Sequence, residues 1–188
     1  TRTKFDTDCK TYSEMIKYYV ESSNINFEER NILMTHHTFL HENEASFSDS
    51  EIRFNIGGLE GIDAGYFKDF NYVALGHLHI PQFLSREYIR YSGSILKYSE
   101  SEIETEKSSV MVEIGKDGKA CIKLLPLKPL RNLKVLKGTI EELLANPSEI
   151  INDFVYVVLT NPSIVPYAMK RIRVKYPNAI SLTYDNTK

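Results

Sequence analysis

Two short apolar runs, each leading into histidine, limit the folds open to this chain: NILMTHH (31–37), and NYVAL (71–75), which stops at Gly76 before His77-Leu78-His79. A continuous apolar run of roughly four to eight residues reads as a strand covered on both faces, the pattern of parallel sheets in α/β proteins. Chain breakers bound both runs: Gly57 and Gly58 fall between them, and Gly76 and Pro81 follow the second. A polar, Ser/Glu-rich stretch fills 41–56, and Asp63 offers a cap for a short helical turn near 63–68. Upstream, CKTYSEMIKYYVE (9–21) spaces Met15, Ile16, Tyr19 and Val20 as an amphipathic helix, with Thr11 and Glu14 in a capping-box pattern.

Beyond Pro81 the pattern changes to consecutive short strands, QFLS, YIRYSG, SSVMVEIG and ACIKLLPL. Lys116-Asp117-Gly118-Lys119 between the last two is a hairpin signal. The alternating Glu100, Glu102, Glu104 and Glu106 read as a solvated loop. Pro126 and Pro129 mark a boundary, after which the chain reads strand (NLKVLKG), helix (TIEELL, with Thr139 and Glu142 as a second capping box), strand (FVYVVLT), helix (163–175) and strand (AISLTY).

Charge follows the same division. Residues 1–120 carry 13 Lys and Arg against 20 Asp and Glu, whereas residues 121–188 carry 10 against 5, within an overall net charge of −2. That total argues against a strongly basic nucleic-acid binder. The basic third alone suits either a solvated face or a surface for phosphate backbone, centred on Lys128, Arg131 and Lys134 and on Lys170, Arg171 and Arg173. No apolar run has the ~20 residues of a membrane span, and Cys9 and Cys121 form no C-x-x-C motif, which fits a reducing cytoplasm. The polar start at Thr1, without methionine, reads as a longer chain that has been cut.

All five histidines lie between positions 36 and 79. His36 follows one apolar strand and His77 and His79 the other, and ligands of open α/β sheets bind at strand C-terminal ends. In an extended segment His77 and His79 project to one side, and neutral imidazoles suit Mn, Fe or Zn. Three histidines alone could hold a single zinc, while a two-metal hydrolytic site also needs carboxylates. His37 and His41 read as structural residues satisfied by hydrogen bonds.

NILMTHHTF (31–39), GGLEGIDAGYF (57–67), NYVALGHLHIPQ (71–82), IRYSGSILKYSESE (89–102) and KSSVMVEI (107–114), in this order, resemble the second half of bacterial SbcD-type nuclease subunits. These are counterparts of the Mre nucleases, in the calcineurin-like metallophosphoesterase superfamily. The resemblance implies an α/β fold, α+β overall: residues 1–126 as the C-terminal half of a metallophosphoesterase β-sandwich flanked by helices, and residues 127–188 as a small α+β capping domain that orients DNA. It implies two Mn²⁺ or Mg²⁺ ions, with His36 and His77 as ligands of one and His79 of the other.

The family's Asp-x-His, Gly-Asp and Gly-Asn-His-Asp motifs do not occur in this sequence. Weak metal affinity and no hydrolysis are therefore expected of this chain alone. The implied partners are an SbcC-type ATPase, double-stranded DNA and a second copy within a heterotetramer. The composition also leaves two other readings: a different calcineurin-like phosphodiesterase, or a non-catalytic module that binds DNA or a partner. Half a sandwich should expose an apolar patch or hide it by intermolecular pairing.

Overall fold

The computed structural model describes residues 9–40, 45–51, 61–145 and 150–185; Thr1 to Asp8, His41, Gly57 and Gly58 lie outside them. The fold is mixed α/β and divides into two units, residues 1–95 with 105–127 and residues 96–104 with 128–188.

In the first unit, helix α1 (Tyr12–Glu21) starts where the sequence predicts. The Thr11 hydroxyl accepts the Glu14 N–H at 3.0 Å, and the Glu14 carboxylate accepts the N–H groups of Thr11 and Lys10. Those backbone donors hold the Glu14 carboxyl below its ordinary pKa. Tyr12, Ile16 and Val20 pack on the core, while Tyr19 is exposed. The half-buried stripe therefore runs i, i+4, i+8 from Tyr12, not through Tyr19 as its spacing suggested.

Six strands follow: β1 (Ile32–His36), β2 (Phe39–Leu40), β3 (Ile62–Asp63), β4 (Tyr72–Gly76), β5 (Gln82–Leu84) and β6 (Arg86–Tyr91). The main sheet has the order β1-β4-β6-β5; its first three strands are parallel and β5 returns antiparallel to β6. All three parallel strands thus end at the same edge. β2 and β3 pair separately, and Asp63 caps the 3-10 turn Ala64–Phe67 by accepting the Gly65 N–H.

Burial differs between the two histidine-terminated runs. β4 is covered on both faces, with Tyr72, Val73 and Leu75 buried. β1 is not: Leu33 packs on the core, but Ile32 is 59% and Met34 82% exposed. The continuous-run reading fails here because the face of β1 that carries Ile32 and Met34 is left uncovered among the described residues; β1 is also the last strand of its sheet there. Ile32 and Met34 are therefore exposed apolar side chains on that face.

The hairpin β7 (Ser108–Ile114) and β8 (Ala120–Pro126) turns where Asp117-Gly118 predicts, with Gly118 at φ +77°. Asn71 ties it to the sheet, donating to the Gly118 carbonyl at 2.8 Å while its side-chain oxygen accepts the Asn31 N–H.

The second unit is a strand-helix-strand-helix-strand run: β9 (Leu133–Gly138), α2 (Ile140–Ala145), β10 (Phe154–Leu159), α3 (Ala168–Lys175) and β11 (Ala179–Tyr184). Its three strands are parallel in the order β9-β10-β11. Val155, Val157, Leu143 and Ile172 lie in its core. Thr139 and Glu142 form the expected capping box. α3 begins at Ala168 and not near 163, because Pro166 disfavours helical backbone at Val165 and Tyr167 takes φ +53°.

The glutamate run needs one correction. Glu102 is fully buried at the end of the 3-10 turn Glu100–Glu102, its carboxylate accepting from the Ser99 hydroxyl at 2.9 Å. Among the described residues no helix is long and apolar enough to cross a membrane.

Candidate metal and phosphate site

The parallel register sets His36 directly beside Gly76 at the ends of β1 and β4. Proximity is forced by the absence of a side chain: a Cβ on Gly76 would lie 2.5 Å from His36 Nδ1. The next residue, His77, takes φ +103°, a conformation rare for a residue with a Cβ. That turn swings its ring to 5.7 Å from the His36 ring, centroid to centroid, in an edge-to-face arrangement. Leu78 is buried beneath, and His79 returns to the same side. A kinked turn, not an extended strand, therefore brings His77 and His79 together.

The resulting pocket has a volume of about 380 Å³ and is lined by His36, Ser50, Glu51, Gly76, His77, Leu78, His79, Gly93 and Ser94. Its third wall follows β6, the third parallel strand. There Gly93 takes φ +78° at a point where a Cβ would sit 2.8 Å from the His79 carbonyl oxygen. Ser94 N–H donates to that carbonyl at 3.1 Å. The Ser92-Gly93-Ser94 turn thus stands against the histidine loop.

Three residues that were not singled out from the sequence, Glu51, Lys107 and Ser50, also reach this place. The carboxylate of Glu51 accepts the backbone N–H of His79 and, at 2.8 Å, that of Ser48. Lys107, buried to 6% exposure, donates from Nζ to the His79 carbonyl at 2.8 Å and to the Ser94 hydroxyl at 2.9 Å. Ser50 Oγ lies 2.7 Å from His79 Nδ1. The loop 45–51 reads from sequence only as polar, and a lysine in KSSV has no local signature, so neither announced itself.

Burial pushes His77 below the ordinary histidine pKa, helped by the His36 charge and, less, that of His79, against an opposing pull from Glu51. The neutral imidazole this favours is the form that binds metal. His37 stands apart: its ring meets Tyr12 of α1, with the Tyr12 hydroxyl 3.0 Å from Nε2. Among the described residues no three His, Cys, Asp or Glu side chains stand in the arrangement of a metal centre. Three nitrogen donors facing one pocket fit a divalent cation in kind, as part of a ligand set. Glu51 is occupied by two backbone donors.

The basic residues of the second unit divide in role. Lys128, Arg131, Lys134 and Lys170 are exposed. Arg171 reaches Glu141 at 3.7 Å. Arg173 spends Nε and Nη2 on the Ala179 carbonyl, tying α3 to β11.

An open sheet whose parallel strands end in imidazoles and tight glycine turns, with a carboxylate brought in by the 45–51 loop, defines an α/β chain with a ligand pocket at its strand ends. Comparison with known proteins narrows the class. The family model SbcD_C, described as the type 5 capsule protein repressor C-terminal domain, matches residues 129–188. A relative from Staphylococcus epidermidis, described as the SbcD subunit of the SbcCD nuclease, is 35% identical over 182 residues, which are 95% of this chain and 48% of that protein. The protein of the same description from Staphylococcus saprophyticus is 38% identical over 138 residues, 72% of this chain and 36% of that one. This is an SbcD-like chain, similar to the C-terminal part of such subunits, and it spans about half the length of the first of these relatives or less.

Proposed function

We propose that this chain is the part of an SbcD-type nuclease subunit that supplies the imidazole ligands of a two-metal phosphodiesterase site, followed by a capping domain that faces DNA. The observation that carries this reading is the convergence of His36, His77 and His79 on one pocket at the strand ends. His36 and His77 would hold one Mn²⁺ or Mg²⁺ ion and His79 the other, with carboxylate ligands from elsewhere in the subunit. Bound there, such ions supply Lewis-acid activation of water and a clamp on the scissile phosphate oxygens.

The chain's own work is positional. The turn at His77 aims two rings at one volume, Gly93 lets the third wall close on it, and burial, which favours the neutral His77 imidazole, leaves that ring a lone pair. The activity read for the whole subunit is ATP-assisted exonuclease and endonuclease cleavage of double-strand breaks and hairpins, with an SbcC-type ATPase and a second copy in a cytoplasmic heterotetramer. This segment alone is read as inactive. The test is cleavage of linear duplex DNA by the complete subunit with its ATPase. Dependence on an added divalent cation, Mn²⁺ or Mg²⁺, is expected, and cleavage of small phosphodiesters only would sink the reading.

Lys128, Arg131, Lys134 and Lys170, with Arg171 and Arg173, are the basic residues assigned to DNA, the last two also engaged with Glu141 and the Ala179 carbonyl. Each phosphate neutralised contributes about 0.9 to the slope of log affinity against log salt. Replacing Lys128, Arg131 and Lys134 together by Glu is expected to weaken duplex binding uniformly across sequences and flatten that slope by about 2–3. Fluorescence anisotropy at several salt concentrations measures it, and an unchanged slope would remove these three from the interface.

A further inference from the structure

His79 is gripped at both ends of its backbone by side chains of opposite charge from two distant segments. The Glu51 carboxylate takes its N–H, and the Lys107 ammonium takes its carbonyl. Lys107 is the more telling of the two. Burying an ammonium costs several kcal/mol unless it is fully hydrogen-bonded, and a methionine of similar volume would avoid that cost. Here the buried charge is spent on the backbone of a loop, and on Ser94 of the neighbouring loop, where it adds nothing to apolar packing. The His79 carbonyl oxygen receives two donors, Lys107 Nζ and Ser94 N–H, so the loops after β4 and β6 are joined through this one residue.

We propose that Lys107 and Glu51 are positioning residues for His79: they fix the backbone at residue 79, and with it the point from which the imidazole, held at Nδ1 by the Ser50 hydroxyl, is presented to the pocket before any ligand arrives. The clamp rests on the reading of His79 as a metal ligand for its purpose, but not for its existence. Lys107 and Glu51 each spend their charged group on the backbone of residue 79. Both act through the residue they hold, as outer partners do for ligands of metal sites generally.

The experiment uses this chain with ¹³C/¹⁵N-histidine labelling. Imidazole resonances of His36, His77 and His79 are followed without metal and then during titration with MnCl₂, whose paramagnetism broadens nearby signals. The variants are Lys107→Met, Lys107→Arg and Glu51→Gln. Lys107→Met is expected to shift or double the His79 resonances in metal-free protein while those of His37, against Tyr12, stay in place. The manganese concentration that broadens His79 should rise about 10–100-fold. Lys107→Arg, which keeps charge and donors, should restore much of both.

Unmoved His79 resonances in folded Lys107→Met would overturn the proposal, as would displacement of His37 to the same degree, which marks a general structural role. If Lys107→Met does not fold, Glu51→Gln decides on the same criteria. Should manganese broaden none of the three histidines in the parent chain or in the complete subunit, the metal reading fails. The metal-free resonances then still judge the clamp.

Discussion

Gly76→Ala, introduced into an SbcD subunit carrying this segment, is expected to lower manganese-dependent DNA cleavage by about 100-fold or more while leaving the fold intact. The new Cβ would stand 2.5 Å from His36 Nδ1, closer than any real contact of that kind, and Gly76 itself needs no left-handed backbone. The His36 ring is the softer party, so it rotates away and its nitrogen leaves the pocket. A displacement of about 1 Å in a catalytic constellation can cost ~10²-fold. The relevant readouts are kcat/KM on linear duplex and the thermal midpoint. Wild-type cleavage would show that His36 is dispensable, and a collapsed midpoint would show that the alanine acts on folding instead.

Tyr91→Phe is expected to destabilise the chain by about 1–3 kcal/mol. The Tyr91 hydroxyl is buried at the end of β6, accepts the Phe39 N–H at 2.7 Å and donates to the His37 carbonyl at 3.0 Å. It pins the chain just after β1, on the segment that carries His36. Without it two backbone groups in a dry place lose their partner. Burial also pushes the Tyr91 phenol far above its ordinary pKa of about 10.

A raised phenol has a signed consequence. The folded state keeps the proton and the unfolded state releases it, so this contribution is complete below pH about 10 and drains away above it. The Phe variant should therefore be less stable at neutral pH yet lose less on going from pH 9 to 11. Urea titrations at the two values measure both effects. Parent-like stability with an unchanged alkaline limb would mean that the hydroxyl is solvated.

Local order was legible because it is written in short-range chemistry. Thr11 with Glu14 and Thr139 with Glu142 form the capping boxes their spacing predicts, and Asp117-Gly118 makes its turn. The three histidines share a pocket because two strand ends could be recognised by composition alone. What stayed hidden depends on neighbours distant in sequence. Nothing in NILMTHH says that one of its faces is left uncovered, so Met34 reads as buried when it is not. Glu102 looks like its exposed neighbours, and only the chain around it decides that it is inside. Glu51 and Lys107 reach His79 across 28 residues each, in opposite directions along the chain, a separation at which no motif can be read.

The backbone at His77 carries a further meaning. A residue with a Cβ at φ +103° stores strain of about 1–3 kcal/mol, and glycine would adopt the same turn freely. Selection for durability alone would thus drift toward glycine at position 77. A library screened only for heat resistance should enrich that replacement and silently discard the ring. Persistence of histidine there, in a population free to vary, would measure how strongly use outweighs comfort.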